Sequence, residues 1–216
     1  MTESTRTVLC FGDSNTHGTV ALTSFSERHR FAPETRWPGV LAAELGPGWH
    51  VIEEGHPGRT TVHDDPVEGA HKNGLTMLPA LLESHRPIDV VTIMLGTNDL
   101  KARFSVTPQD IARSVERLAR LVLASDVGPD GGAPAVILMA PSPIEEVGLL
   151  AEMFAGGQAK SMELADDIAA VAADLGLPFL DAGRLAHVDP VDGIHLMPDG
   201  HRAIGRAVAG MLKTMT

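Results

Sequence analysis

The feature that most constrains the fold of this chain is a regular alternation of short apolar runs with longer amphipathic segments. Five runs have the length and composition of buried strands, the last being the weakest: residues 7–11, 49–52, 88–95, 135–140 and 178–180. Five segments between and after them have helical spacing: residues 37–45, 75–84, 108–124, 158–175 and 198–213. Because parallel strands need long crossover connections, this alternation predicts a parallel sheet with helices on both faces.

The order of the elements predicts the architecture. Crossovers between parallel strands are right-handed, which favours an α/β fold: a three-layer α/β/α sandwich around a five-stranded parallel sheet of flavodoxin-like order. No repeat or linker divides the sequence, so we expect a single domain over residues 1–216. Three long connections, residues 16–36, 55–73 and 141–157, are typical of functional or interfacial loops.

Composition and charge argue against several classes of function. The net charge of −11, from 17 Lys and Arg against 28 Asp and Glu, disfavours nucleic acid as a partner, because phosphate binding needs clustered cations. The single cysteine, Cys10, excludes an internal disulfide. No segment is apolar enough to span a bilayer and residues 1–6 are polar, so we expect a cytoplasmic protein without a membrane partner.

The first predicted strand ends in Gly12-Asp13-Ser14-Asn15, a turn that places one hydroxyl past the carboxyl end of the strand. Open α/β sheets assemble their functional sites at that edge. A serine nucleophile there requires a base, an acid that orients the base, and donors for an oxyanion. All four residue types are also ordinary in turns, so this motif alone is weak evidence.

Residues that could supply those partners follow other strands. Gly58, after the second strand, allows a backbone N–H to approach a ligand closely. Asn98, after the third strand, can donate from its side-chain amide. Asp192 and His195, beyond the fifth strand, are spaced so that the carboxylate can reach the imidazole Nδ1. Each motif alone is more often structural than catalytic, but their joint placement favours an active site.

At these residues the chain resembles the GDSL, or SGNH, serine hydrolases. The four sequence blocks of that family match at Gly12–Ser14, Gly58, Gly96–Asp99 and Asp192–His195. Shorter matches to the bacterial arylesterase and acyltransferase branch cover essentially the whole chain, among them Arg36-Trp37-Pro38 and Phe179-Leu180-Asp181-Ala182-Gly183.

The resemblance implies a role for each matched residue. Ser14 would be the nucleophile, His195 the base and Asp192 the orienting acid. The backbone N–H groups of Ser14 and Gly58, with the Asn98 side chain, would form the oxyanion hole. The implied reaction is hydrolysis of a small-molecule ester with a short acyl or aryl part, without a cofactor, by a homo-oligomer.

Other functions stay open at this point. An acyltransferase, a perhydrolase or a carbohydrate O-acetyl deacetylase would use the same acyl-enzyme. A non-catalytic flavodoxin-like binding module would need a phosphate-cradling loop after the first strand, where Asp13 would repel phosphate.

Three further residues are candidates for the substrate pocket. The chain has His17 where acyltransferase members of the family carry tryptophan, so His17 is expected to line the site entrance, with a surface-loop histidine as the alternative. Met153 and Phe154 are candidate walls of an acyl pocket, with core or interface packing as the alternative.

Histidine-rich loops raise the question of a metal site. The possible ligands fall into two clusters, His56, His63, Asp64, Asp65 and His71, and His187, Asp189, Asp192 and His195. Neither cluster has the spacing typical of zinc sites, so we expect no metal. Arg59 is expected to form an ion pair with Glu54, Asp64 or Asp65 rather than to bind substrate.

Overall fold

A parallel sheet of five strands lies at the centre of the computed structural model, which describes residues 5–26 and 28–215. The strands, in the spatial order β2-β1-β3-β4-β5, are β1 (Arg6–Gly12), β2 (Trp49–Gly55), β3 (Val90–Met94), β4 (Ala135–Ala140) and β5 (Phe179–Asp181). All four neighbouring pairs are parallel. The predicted flavodoxin-like order is therefore confirmed.

Helices cover both faces of the sheet, which confirms the three layers. They are α1 (Ser14–His17), α2 (Trp37–Leu45), α3 (Gly74–His85), α4 (Pro108–Leu123), α5 (Gly157–Leu175) and α6 (Pro198–Thr214). The buried side chains of α3, α4 and α5 pack with Leu9 and Phe11 of β1, whereas those of α2 and α6 pack with Val8 and Cys10. Successive strand residues point to opposite faces, so one apolar strand serves two cores. No helix in the described part of the chain could cross a bilayer.

The strand order places the site between β1 and β3. All five residues of β3 are buried, as a nearly continuous apolar run predicts for a central strand. From β1 the chain proceeds to β2 on one side, and from β3 it proceeds to β4 on the other. Connections that leave in opposite directions open a crevice beyond the carboxyl ends of these strands.

Candidate active site

The first strand carries Ser14 to the carboxyl edge of the sheet. β1 ends at Gly12 and α1 begins at Ser14, with Asp13 as its N-cap, whose Oδ1 accepts a hydrogen bond from the Asn15 N–H at 2.9 Å. A Cβ at Gly12 would lie 2.0 Å from Thr16 Oγ1, so this turn requires glycine. Because the first N–H groups of a helix have no partner within it, the Ser14 N–H can serve a ligand.

Asp192 and His195 form a buried hydrogen-bonded pair. His195 Nδ1 lies 2.5 Å from Asp192 Oδ2, and this carboxylate also accepts from the N–H groups of Leu22 at 2.7 Å, Ile194 at 3.0 Å and His195 at 3.0 Å. Burial by itself would raise the pKa of Asp192, but these hydrogen bonds and the nearby imidazole lower the pKa to about 2. An ionised carboxylate on Nδ1 fixes the tautomer in which Nε2 can accept a proton.

Gly58 follows β2 and Asn98 follows β3, the two strands that flank β1. Gly58 has φ of 82°, a conformation that favours glycine, and a Cβ there would displace the end of the Glu68 side chain, 2.6 Å away. Asn98 begins a short 3₁₀ helix after β3, and its Nδ2 lies 3.5 Å from Asp13 Oδ2, next to Ser14. Their N–H groups are suitable donors for a developing oxyanion.

One cavity of about 510 Å³ brings the predicted residues together. Its wall includes Ser14, Gly58, Asn98 and His195, whereas Asp192 lies behind His195 and does not line it. Much of the remaining wall is apolar, from Leu22, Phe25, Pro57, Val67, Leu150, Met153, Phe154 and Ile194. An apolar cleft with a few convergent polar groups is the usual form of a small-molecule site.

The three candidate pocket residues also lie in this wall. His17, at the end of α1, is half-buried, and its Nδ1 lies 3.1 Å from Thr19 Oγ1. Burial, together with the charges of Arg30 and Arg36, lowers the pKa of His17 to about 4, so its ring is neutral at pH 7. Met153 and Phe154 contribute apolar surface from the loop after β4.

Sequence reasoning missed the side chain that joins the Ser14 segment to the His195 segment. Asn15 Nδ2 donates to the Ile194 carbonyl at 3.1 Å, and Asn15 Oδ1 accepts from the Leu196 N–H at 3.0 Å. These two bonds flank His195 on both sides and hold it against α1. Only the identity of Asn15 in the turn motif offered a signal, since its partners lie about 180 residues away in sequence.

A second missed contact joins the Gly58 loop to the Asn98 segment. The Asp99 carboxylate accepts from the Thr61 N–H at 3.0 Å and from the Thr61 hydroxyl. Burial raises the pKa of Asp99 to about 7, and the Thr61 hydrogen bonds offset this only in part. One buried contact thus joins the two segments that carry Gly58 and Asn98.

The ion pair expected for Arg59 is wrong. Its guanidinium donates to the carbonyls of Gly12, at 2.8 Å, and Glu54, and stacks over the Phe11 ring at 4.3 Å. The side chain is buried beneath the site, where backbone carbonyls at the strand ends accept its hydrogen bonds, so it does not reach a carboxylate. Arg59 therefore fixes the ends of β1 and β2.

Neither histidine-rich loop gathers metal ligands. Across residues 5–26 and 28–215, no group of three or more His, Cys, Asp and Glu side chains is placed to hold a metal ion. Asp65 is engaged by Lys101 and Arg103, and His56 by Lys72.

Comparison with known proteins assigns the family. Residues 10–203 match the model of the GDSL-like lipase/acylhydrolase family, so the match covers most of the chain and contains Ser14, Gly58, Asn98, Asp192 and His195. The chain belongs to this family. The predicted family and the predicted enzyme class, a carboxylic ester hydrolase, are confirmed. The search of curated proteins found no match to this chain.

Solved structures similar to this GDSL enzyme agree with the fold. The aryl esterase of M. smegmatis is 42% identical, with a TM-score of 0.92, over 98% of this chain and 100% of that one. Est24, a carbohydrate acetylesterase from Sinorhizobium meliloti, is 41% identical with the same TM-score and coverage. A further carbohydrate acetylesterase family member from S. meliloti is 38% identical, with a TM-score of 0.89, over 97% and 98% of the two chains.

Proposed function

We propose that this GDSL enzyme hydrolyses short-chain acyl or aryl carboxylic esters through an acyl-enzyme on Ser14. The observation that carries the proposal is the His195–Asp192 pair, whose Nδ1–Oδ2 distance is 2.5 Å, in a cavity that Ser14 and His195 share. A serine, an oriented imidazole and a buried carboxylate are the parts that acyl transfer requires.

The proposed reaction has two steps. Ser14 Oγ attacks the ester carbonyl while its proton passes to His195 Nε2, and the oxyanion accepts hydrogen bonds from the Ser14 and Gly58 N–H groups and from Asn98. The tetrahedral intermediate then expels the alcohol, which takes the proton from His195. In the second step water gives a proton to His195, attacks the acyl group and releases the acid, and the proton returns to Ser14.

The size and the apolar lining of the cavity are consistent with a substrate that has a small acyl or aryl group. Leu150, Met153 and Phe154 present apolar surface within a volume of about 510 Å³. The similar solved structures include an aryl esterase and carbohydrate acetylesterases, which supports short acyl groups on an aromatic or a carbohydrate alcohol. Acyl transfer to an alcohol or to peroxide, and carbohydrate O-acetyl removal, remain alternatives that use the same acyl-enzyme.

Labelling with a fluorophosphonate tests the nucleophile. The wild-type protein should be labelled and should hydrolyse a phenyl ester, whereas Ser14→Ala should do neither. Ser84, exposed on α3 and outside the cavity, provides the control: Ser84→Ala should behave as the wild type. Labelling of Ser14→Ala would contradict the assignment. A folded wild type that stays unlabelled beside a labelled serine esterase would favour the binding module.

An ester panel tests the reaction type. The acyl and alcohol parts are varied separately, in water and with an added alcohol acceptor. Products that are mainly free acids support hydrolysis, and products that are mainly new esters support the acyltransferase alternative.

A single domain over residues 1–216 and assembly into a homo-oligomer complete the proposal. Phe25 and Val67 line the cavity and are 55% and 75% exposed, and a subunit contact would cover such apolar surface. Light scattering measures the assembly. The cytoplasmic location stays a prediction.

A further inference from the structure

Positive side chains are concentrated in the wall of the cavity, although the protein as a whole is acidic. Among the lining residues that the structure describes, five are cations and one is a carboxylate: Arg28, Arg30, Lys72, Lys101 and Arg103 against Glu68. In the whole chain the ratio is reversed, with 17 Lys and Arg against 28 Asp and Glu. The cavity therefore differs in charge from the rest of the molecule.

Part of this positive charge is balanced locally. Lys101 Nζ lies 3.4 Å from Asp65 and 2.5 Å from Glu68, and Arg103 lies 2.9 Å from Asp65 and 3.7 Å from Glu68. Two cations and two carboxylates form a neutral cluster, in which Lys101 is buried. This cluster holds the loop that contains Gly58 against the segment after Asn98.

Lys72, next to that cluster, forms no ion pair among the described residues. Its Nζ donates to the Pro57 carbonyl at 2.8 Å and lies 3.2 Å from His56 Nε2. No carboxylate of the described residues lies within 4.0 Å of this ammonium group, and Glu68 and Asp65 act on it only over a longer distance. Lys72, Lys101 and Arg103 together carry one more charge than these two carboxylates. A Cβ at Gly58 would lie 3.1 Å from Lys72 Cε and 2.6 Å from Glu68 Oε2, so Lys72 and one carboxylate of the neutral cluster both flank the predicted oxyanion donor.

A similar excess of positive charge lies beside His17 among the described residues. Arg30 and Arg36 share one carboxylate, Glu53, at 3.1 Å and 3.0 Å, and Arg30 also donates to the His17 carbonyl at 2.7 Å. Two guanidinium groups on one carboxylate leave a net positive charge beside His17.

The neighbouring imidazoles reflect these charges. Burial and then the Arg30 and Arg36 charges lower the pKa of His17 to about 4, and burial and then the Lys72 charge lower the pKa of His56 to about 4. The carboxylates nearest the nucleophile, Asp13 and Asp192, do not line the cavity. Burial raises the pKa of Asp13 to about 6, and Asp192 is bonded to His195.

We propose that the cavity mouth binds an anionic group of the substrate, so that the enzyme prefers esters that carry a carboxylate to neutral esters of the same shape, with Lys72 as the specificity-determining residue. This inference rests on the proposed function, since it places the ester at Ser14. A unit charge about 6 Å from the Lys72 ammonium group, in a half-solvated cleft, should change kcat/KM by a factor of about 3 to 10.

Two matched pairs of esters test the inference and show which part of the substrate carries the charge. Para-acetoxybenzoate and para-acetoxybenzamide place a carboxylate or a neutral amide on the alcohol part. Phenyl hemisuccinate and phenyl succinamate do so on the acyl part. In at least one pair, the wild type should give the anionic ester the higher kcat/KM, and added salt should lower only that value.

Variants of Lys72 separate charge from position. Lys72→Gln should reduce the anionic-to-neutral ratio about 3- to 10-fold, and Lys72→Arg should retain it. Arg113, 66% exposed on α4 and outside the cavity, gives the control Arg113→Gln, which removes one positive charge and should leave the ratio unchanged.

Three results would overturn the inference. Equal kcat/KM within both pairs would remove the preference itself. An equal loss for all four esters in Lys72→Gln would mean that Lys72 only positions Gly58 through Pro57. A wild type that turned over none of the esters would contradict the proposed function, and this inference with it.

Discussion

Among single residues, Asp13 and Asn15 make the contacts that hold Ser14 in its place. Asp13 caps α1 through the Asn15 N–H and lies 3.5 Å from Asn98 Nδ2. Asn15 bonds to the backbone on both sides of His195. Both neighbours of Ser14 thus connect it to the other segments of the site. Their polar side chains are buried, and buried polar groups form hydrogen bonds with the groups around them.

At this scale we expect Asn98→Ala to lower kcat by roughly 100- to 1,000-fold, the usual cost of removing one oxyanion donor. Steady-state kinetics with a phenyl ester measures the loss, and thermal unfolding shows whether the fold is retained. Asn98→Asp keeps the size of the side chain but removes the donor, so it should be at least as impaired. Activity of Asn98→Asp close to the wild type would contradict the role.

His17→Trp is expected to change the acyl-chain preference and the ratio of transfer to hydrolysis. The neutral imidazole and Thr19 now form one part of the cavity wall, and a larger, apolar ring there would occupy part of the cavity. The measurement is the ester panel with and without an alcohol acceptor, with Thr19→Ser as a variant that keeps the hydroxyl near Nδ1. If both properties of His17→Trp match the wild type, His17 has no part in selectivity.

Among the elements, α6 packs on α2 through a buried histidine. His201 Nδ1 accepts from the Trp37 N–H at 3.4 Å, and its ring meets the edge of Phe31 at 5.5 Å between centroids. Burial, and then the charges of His195 and Arg36, lower the pKa of His201 to about 4. The ring is therefore neutral in the folded protein at pH 5.

This shift predicts a loss of stability in acid. At pH 5 an unfolded histidine, with a pKa near 6.5, binds a proton that folded His201 does not, so stability falls as the pH drops from about 7 towards 4. The contribution to the free energy of unfolding is about 2 kcal/mol between pH 7 and pH 5. Urea unfolding at both pH values should show a smaller difference for His201→Gln than for the wild type. His50→Gln, which changes an exposed histidine far from this contact, should keep the wild-type difference.

At the scale of the whole molecule, one sheet joins two apolar cores. Ile137 and Leu138 are adjacent, fully buried residues of β4 whose side chains enter opposite cores. Each substitution to alanine should lower the free energy of unfolding by about 2–5 kcal/mol, from lost burial and the cavity left behind. We expect both to shift the same transition, because both cores share the sheet.

Two signals test whether the cores unfold together. Trp37 lies in the core formed with α2 and α6, and the partly buried Trp49 packs against it, so their fluorescence reports one side of the sheet, whereas far-UV circular dichroism reports the whole chain. If Leu138→Ala moved the circular dichroism transition but left the fluorescence transition in place, the cores would unfold separately, contrary to the proposed single domain.

Most of the fold could be predicted because strand and helix patterns are local. Bounds of Ala135–Ala140 and Trp37–Leu45 agree with prediction, and the apolar run of β3 identified the central strand. The four-residue helix α1 was not predicted, since its cap depends on Asp13 in a sequence that equally suits a turn. The site residues could be named from motifs, but the partners of Arg59 could not.

The sequence by itself determined the order of the elements, the α/β class, the family and the residues that the family motifs contain. Periodicity and motifs involve residues that are close in sequence, so they can be recognised from the sequence alone. Only the tertiary structure decided which distant groups meet: Leu22 with Asp192, Asn15 with Leu196, and Thr61 with Asp99. The tertiary structure also decided that the cavity of this acidic protein has a positive wall. The charge of a cavity depends on which of its cations form ion pairs, and Lys72 bonds to a backbone carbonyl instead.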